Sequence, residues 1–236
     1  MKLSLANDWH NLVRDETALL MRRGAPLWLA AGFWISIVIS VAAVLRRLIA
    51  IAHPSRTTPP QMGALDAVFA SHAALTLAHI VPAMVFVLLT PFVFLRRTGG
   101  AWAERLLFPI GTIVGVTAYA MSTYAVGGWV ERSAVVFFNS LFLFSLARAY
   151  GYRRSGEDRL KRRWMVRAVG ILLGIATTRP VMAIFFVTRQ LTHLELKQFF
   201  GLAFWIGFSI NTIAVELWLN SKSHTKRMAA RSEIQL

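Results

Sequence analysis

The 236-residue chain is 56% hydrophobic and only 16% charged, with a mean hydropathy of +0.53, a balance that excludes an ordinary water-soluble domain. Its formal charge of +15 comes from Lys and Arg lying between apolar blocks, where anionic lipid headgroups are the expected partner and nucleic acid is not. The lack of cysteine excludes disulfides, thiolate metal sites and cysteine nucleophiles, so any cofactor falls to His, carboxylates or packing.

Residues 1–25 carry Lys2, Asp8, Arg14, Asp15, Glu16, Arg22 and Arg23, too many charges for the apolar centre of a cleaved leader. Leu5, Trp9, Leu12 and Val13 recur at helical spacing, which predicts a cytoplasmic amphipathic segment on the membrane surface; the alternative is a charged tail. Six apolar runs follow, near 26–46, 70–95, 106–126, 132–150, 166–188 and 199–219, each about 30 Å long as a helix. Apolar residues on consecutive positions, as from Ala134 to Leu146, exclude the alternating strands of an outer-membrane barrel. The expected fold is therefore all-α, a transmembrane bundle of six helices over residues 26–220, with Pro82 and Pro91 kinking the long second span. A basic cytoplasmic tail occupies 221–236. The hydrophilic gap from Gly151 to Arg163 is too short to bury a core of its own. Gly111 with Gly115, Gly170 with Gly174, and Ala203 with Gly207 are candidates for close helix packing. Trp9, Trp28, Trp102, Trp129, Trp164 and Trp218 fall near proposed interfaces, where aromatic anchors belong.

The Lys and Arg surplus lies at the N-terminus, at Arg96, Arg97 and Arg105, in the run from Arg153 to Arg163, and in the C-terminal tail. The opposite loops hold far fewer: Arg46, Arg47, Arg56, Arg132, Arg189 and Lys197. This bias places both termini in the cytoplasm, and an even number of spans makes the two ends agree.

A charged side chain near mid-membrane costs roughly 2.5–3.5 kcal/mol on insertion scales, so it needs a partner, a wet cavity or a task. His79 in the second span, Arg179 in the fifth and Asn211 in the sixth share a similar depth and form the candidate ligand pocket. For each there is a structural reading as well. Arg179 and Asn211 can simply dock the last two helices, and His79 can hydrogen-bond Thr76, Thr178 or Thr212. Glu216 and Arg167 share a depth near the cytoplasmic end and are expected to pair. His72 and His79 are seven apart, about 10.5 Å along one helix face, so they cannot share a metal. His72 with His193 is the one pairing open to a metal or a haem b, and a rim zinc site would add His53 and Asp66. No phosphate loop, zinc-protease motif or nucleophile elbow is present.

The succession of "SHAALTLAHIVPAMVFVLLTPFVFLRR", "RRWMVRAVGILLGIATTRPVM" and "FWIGFSINTIAVELW" resembles the prokaryotic multi-pass membrane family known as domain of unknown function 2306, over about residues 66–220. The resemblance implies family positions at His79, Arg163, Trp164, Met165, Arg167, Arg179, Asn211, Glu216 and Trp218. It also implies histidines where this chain has Glu104 and Lys161, so a metal or haem held there in relatives is not expected here. The family name supplies no activity.

The residues thus predict a bacterial inner-membrane protein that binds or moves a small anionic, carbonyl-bearing or lipidic ligand, with no cofactor required. The rival readings are a haem- or quinone-linked redox protein and a scaffold whose polar residues serve packing alone. Self-association and a membrane partner are both open.

Overall fold

The computed structural model describes residues 27–53, 60–95 and 100–234. The amphipathic segment expected over residues 1–25 lies outside them. Contacts divide the chain into two units, Met1–Ile35 and Ser36–Leu236. In the first, the described residues are the opening turns of helix α1 (Leu27–Ala52), where Phe33 packs edge-on to Trp34. The second carries the remainder of α1 and then α2 (Pro60–Ser71), α3 (Ala73–Leu95), α4 (Gly100–Ser122), α5 (Gly128–Arg154), α6 (Asp158–Leu172), α7 (Gly174–Val187), the four-residue α8 (Arg189–Thr192) and α9 (Leu196–Ile234). Among the described residues all regular structure is helical.

Six stretches are long and apolar enough to cross a membrane: Leu27–Ala52, Ala73–Phe94, Ala101–Ser122, Gly128–Arg154, Asp158–Val187 and Leu196–Ser221. They correspond one to one with the six apolar runs, but several ends move. The first helix continues past Arg46 and Arg47, two residues that hydropathy alone assigns to a loop. The gap from Gly151 to Arg163 shrinks to Ser155–Glu157, because Gly156 takes a positive φ of 75° that turns the chain sharply between α5 and α6. The last helix runs without a break to Ile234, through the region read as a separate tail.

The helical run around the second span breaks at His72, just ahead of the span itself. Pro82 and Pro91 both lie inside α3. A proline removes the amide that would serve the carbonyl four residues back, and Thr90 Oγ1 donates to that orphaned Val87 carbonyl at 2.5 Å. At the α2–α3 break, Thr76 Oγ1 donates to the Phe69 carbonyl at 3.0 Å and Ser71 Oγ donates to the Val68 carbonyl at 2.8 Å. Hydroxyls therefore satisfy backbone acceptors that have no water to turn to in a bilayer. The fifth span is itself divided, at Leu173 between α6 and α7.

Small residues set the close crossings. Gly111 faces Phe86, Phe142 and Leu146, and Gly115 faces Leu143, which draws α4 onto α5. Gly170 lies against Val215 and Gly174 against Phe208, while Gly207 meets the backbone of Thr178, so α9 lies in close contact with α6 and α7. Ala203 is fully buried beside Met182 and Phe200. Gly127, in the turn before α5, would bring a Cβ within 2.6 Å of the Gly201 amide nitrogen at the start of α9. In lipid, where tails are as apolar as Leu, such tight backbone approach is what holds helices together.

Candidate functional site

A cavity of about 740 Å³ lies within the Ser36–Leu236 unit, lined by α1 to α7 and α9 and by the turn between α4 and α5. Both His79 and Arg179 line it; Asn211 does not. Thr117 Oγ1 donates to the Ile113 carbonyl at 2.7 Å. The same hydroxyl lies 3.1 Å from the Val114 carbonyl and 3.0 Å from His79 Nδ1, a contact whose donor is set by the imidazole tautomer. The partner of His79 is thus on α4, not among Thr76, Thr178 and Thr212. Asn211 faces the neighbouring helices: its Oδ1 accepts from Thr177 Oγ1 at 2.6 Å and its Nδ2 donates to the Gly170 carbonyl at 3.3 Å. That geometry ties α9 to α6 and α7 across the glycine crossings.

Arg179 has a different environment. Its Nε is buried with no hydrogen-bond partner, although the guanidinium carries five donors and cannot be neutralised easily. Ser40 Oγ on α1, also lining the cavity, is likewise buried without a partner. Two further arginines share the wall. Arg46 grips Asp66 with both terminal nitrogens, Nη1 to Oδ1 at 3.2 Å and Nη2 to Oδ2 at 2.9 Å. Arg47 Nη1 hydrogen-bonds the same Oδ1, and its guanidinium lies 4.0 Å from the centre of the Phe69 ring. Arg46 and Arg47 are both within electrostatic reach of Arg179.

The carboxylate that itself lines the cavity is Glu131, 8% exposed. Its Oε2 accepts from the Gly127 amide at 2.6 Å, at the N-terminus of α5 where a negative charge complements the helix dipole. Counting Asp66 and Glu131 against Arg46, Arg47 and Arg179 leaves one positive charge unmatched. Hydropathy reading missed Arg46, Arg47 and Glu131, because each stands at the edge of an apolar run and looks like a loop charge. Glu131 did carry a signal, as the one carboxylate between Glu104 and Glu157.

The remaining candidates lie elsewhere. Arg167 donates to Glu216 as a fork, Nε to Oε1 at 2.5 Å and Nη2 to Oε2 at 3.0 Å. The pair borders a smaller pocket of about 280 Å³ with Trp164, whose ring centre lies 4.6 Å from the Arg167 guanidinium. Lys161 Nζ bonds Glu104 Oε2 at 3.2 Å, and Arg153 adds a second cation to Glu104 at 3.5 Å. The two positions where the resemblance implies histidines are therefore neighbours in space, joined here by opposite charges. The His72 ring lies against Tyr124 with centroids 3.7 Å apart, and His193 adopts a left-handed φ of 52° in the turn before α9. Among the described residues no three of His, Cys, Asp and Glu come together as metal ligands, and Asp66, the carboxylate considered for rim zinc, is taken by Arg46 and Arg47.

Residues 76–219, more than half of the chain, match the model of a family described as predicted membrane protein (DUF2306). No curated protein and no solved structure matches the chain. The chain belongs to this family and is a membrane protein with six candidate spans.

Proposed function

From membership of this membrane-protein family, we propose that the chain resides in a bacterial inner membrane with both termini in the cytoplasm. There it binds or moves a small anionic, carbonyl-bearing or lipidic ligand in the cavity shared by His79 and Arg179. The observation that carries the reading is the buried Arg179 Nε without a partner on a cavity of about 740 Å³. An arginine placed only to dock helices would spend its donors on carbonyls or side chains, as Asn211 does on Thr177 and Gly170. A planar donor left open in low dielectric instead suits an oxygen acceptor brought by a ligand. The volume falls within the roughly 300–1,000 Å³ of small-molecule sites. The Lys and Arg surplus on the loops that share a side with both termini supports the orientation.

The test is to extract the full chain in native lipid particles and identify by mass spectrometry what copurifies. The expected result is an oxygen-rich ligand retained by the wild type and lost on filling the cavity with Ala83→Phe, one turn from His79. Equal ligand content in the two proteins would refute the reading. An absorption spectrum of the same sample separates the redox alternative, since a Soret band would replace the proposal with a haem protein.

A further inference from the structure

We infer that Arg46, Arg47 and Arg179 form the head-group seat of an anionic amphiphile, a phosphate or carboxylate oxyanion carried on one apolar tail. The inference rests on reading the cavity as a ligand site and names its ligand class. Three contacts fix which end of the cavity is charged. Arg46 and Arg47, near the end of α1, bind Asp66 on α2. His72, at the α2–α3 break, lies against Tyr124 in the turn between α4 and α5. Gly127 in that turn meets Gly201 at the start of α9. The end of α1, the start of α3, the start of α5 and the start of α9 therefore gather at one end of the bundle, with Arg46, Arg47, His72, Tyr124 and Glu131 lining the cavity there.

Moving along α3 from Thr76 to Val87, about 16 Å at 1.5 Å per residue, the lining changes character. Its far part is built mainly from Met84, Val87, Phe142, Ile171 and Phe208, with Asn139 one turn before Phe142, its amide nitrogen already donating to the Gly115 carbonyl at 2.9 Å. A cavity with cations at one end and mainly hydrocarbon toward the other matches a molecule divided the same way. The unmatched positive charge calls for an anion. Guanidinium forks favour an oxyanion, because two oxygens can accept from parallel N–H groups. Asp66 already occupies Arg46 and Arg47, so Arg179, whose Nε has no partner, is the donor reserved for the ligand.

Three probes separate head from tail when bound to the purified full chain in neutral detergent: oleyl phosphate, oleyl alcohol and inorganic phosphate. Thermal unfolding and native mass spectrometry report binding to the wild type and to Arg179→Met, Arg179→Lys and Ala83→Phe. Oleyl phosphate should bind the wild type at least tenfold more tightly than oleyl alcohol does, and Arg179→Met should erase that preference, as expected for loss of a charge-assisted bond. Arg179→Lys, which keeps the charge and loses the fork, should restore part of it. Equal binding of phosphate and alcohol by the wild type, or an Arg179→Met protein that keeps the preference, would overturn the head-group seat while leaving the cavity reading intact. Inorganic phosphate protecting as well as oleyl phosphate would overturn the amphiphile in favour of a free anion. No difference between wild type and Ala83→Phe toward any probe would refute the seat and the cavity together.

Discussion

Replacing Gly207 by Ala tests whether the α7–α9 crossing is as close as described. A Cβ at this position would stand 2.7 Å from both the Thr178 amide nitrogen and its Cγ2, and 2.8 Å from its Cα. Two of those three atoms are backbone, so no rotamer change relieves the overlap and the helices must separate. Overpacking of this kind costs about 1–3 kcal/mol. Separation also strains the nearby bond from Thr177 to Asn211, 2.6 Å long, and an interhelical side-chain bond in a membrane protein averages about 0.6 kcal/mol. The expected loss is therefore about 2–3 kcal/mol, a thirtyfold or larger change in the unfolding equilibrium. Steric-trap or detergent titration of the purified protein measures it. Gly151→Ala is the matched control, because a Cβ there meets nothing within 4 Å; it should be neutral or slightly stabilising through helix propensity. If both variants unfold alike, the crossing is looser than described and the placement of Arg179, next to Thr178, loses its support.

Asn211→Leu should cost about 0.6–1.7 kcal/mol of stability yet leave ligand retention unchanged, a contrast with Arg179→Met read out by mass spectrometry. Arg167→Met and Glu216→Gln should each destabilise by less than about 1 kcal/mol, since both side chains are partly exposed. The double variant should lose less than the sum of the two in a thermal-unfolding cycle. Glu131→Ala should cost about 1.5–3 kcal/mol by stripping the Gly127 amide of its charged acceptor, measured in the same assay. Reporter fusions at the two ends should both register the cytoplasm, and opposite signals would refute the inferred orientation.

The helices were legible because the bilayer imposes a length and a composition on each span, so Ala134 to Leu146 reads as membrane helix before any contact is known. The fork from Arg167 to Glu216 was legible for a related reason: charges at equal depth in a costly medium seek each other. What hydropathy could not supply was direction. Whether Asn211 turns toward the cavity or toward Thr177 depends on rotation about a helix axis, which an all-round apolar helix scarcely encodes. His79 finding Thr117 rather than Thr76 likewise follows from the register of α3 against α4. The break at His72 was hidden because Pro82 and Pro91 are the conspicuous helix breakers, whereas Ser71 and Thr76 act through hydroxyls that look ordinary in a list of residues. Arg46 and Arg47 look like the end of a span until Asp66 is seen to hold them.

The last helix, Leu196–Ile234, is 39 residues long without interruption, about 58 Å of rod against a hydrocarbon layer of about 30 Å. Phe200, Phe204 and Phe208 on this rod form part of the cavity wall. Twenty residues further on, the same shaft lies beyond the apolar stretch that ends at Ser221. No break in the helix separates that distal stretch from those aromatic rings, so a load applied there is carried to the chamber wall along one continuous hydrogen-bonded rod.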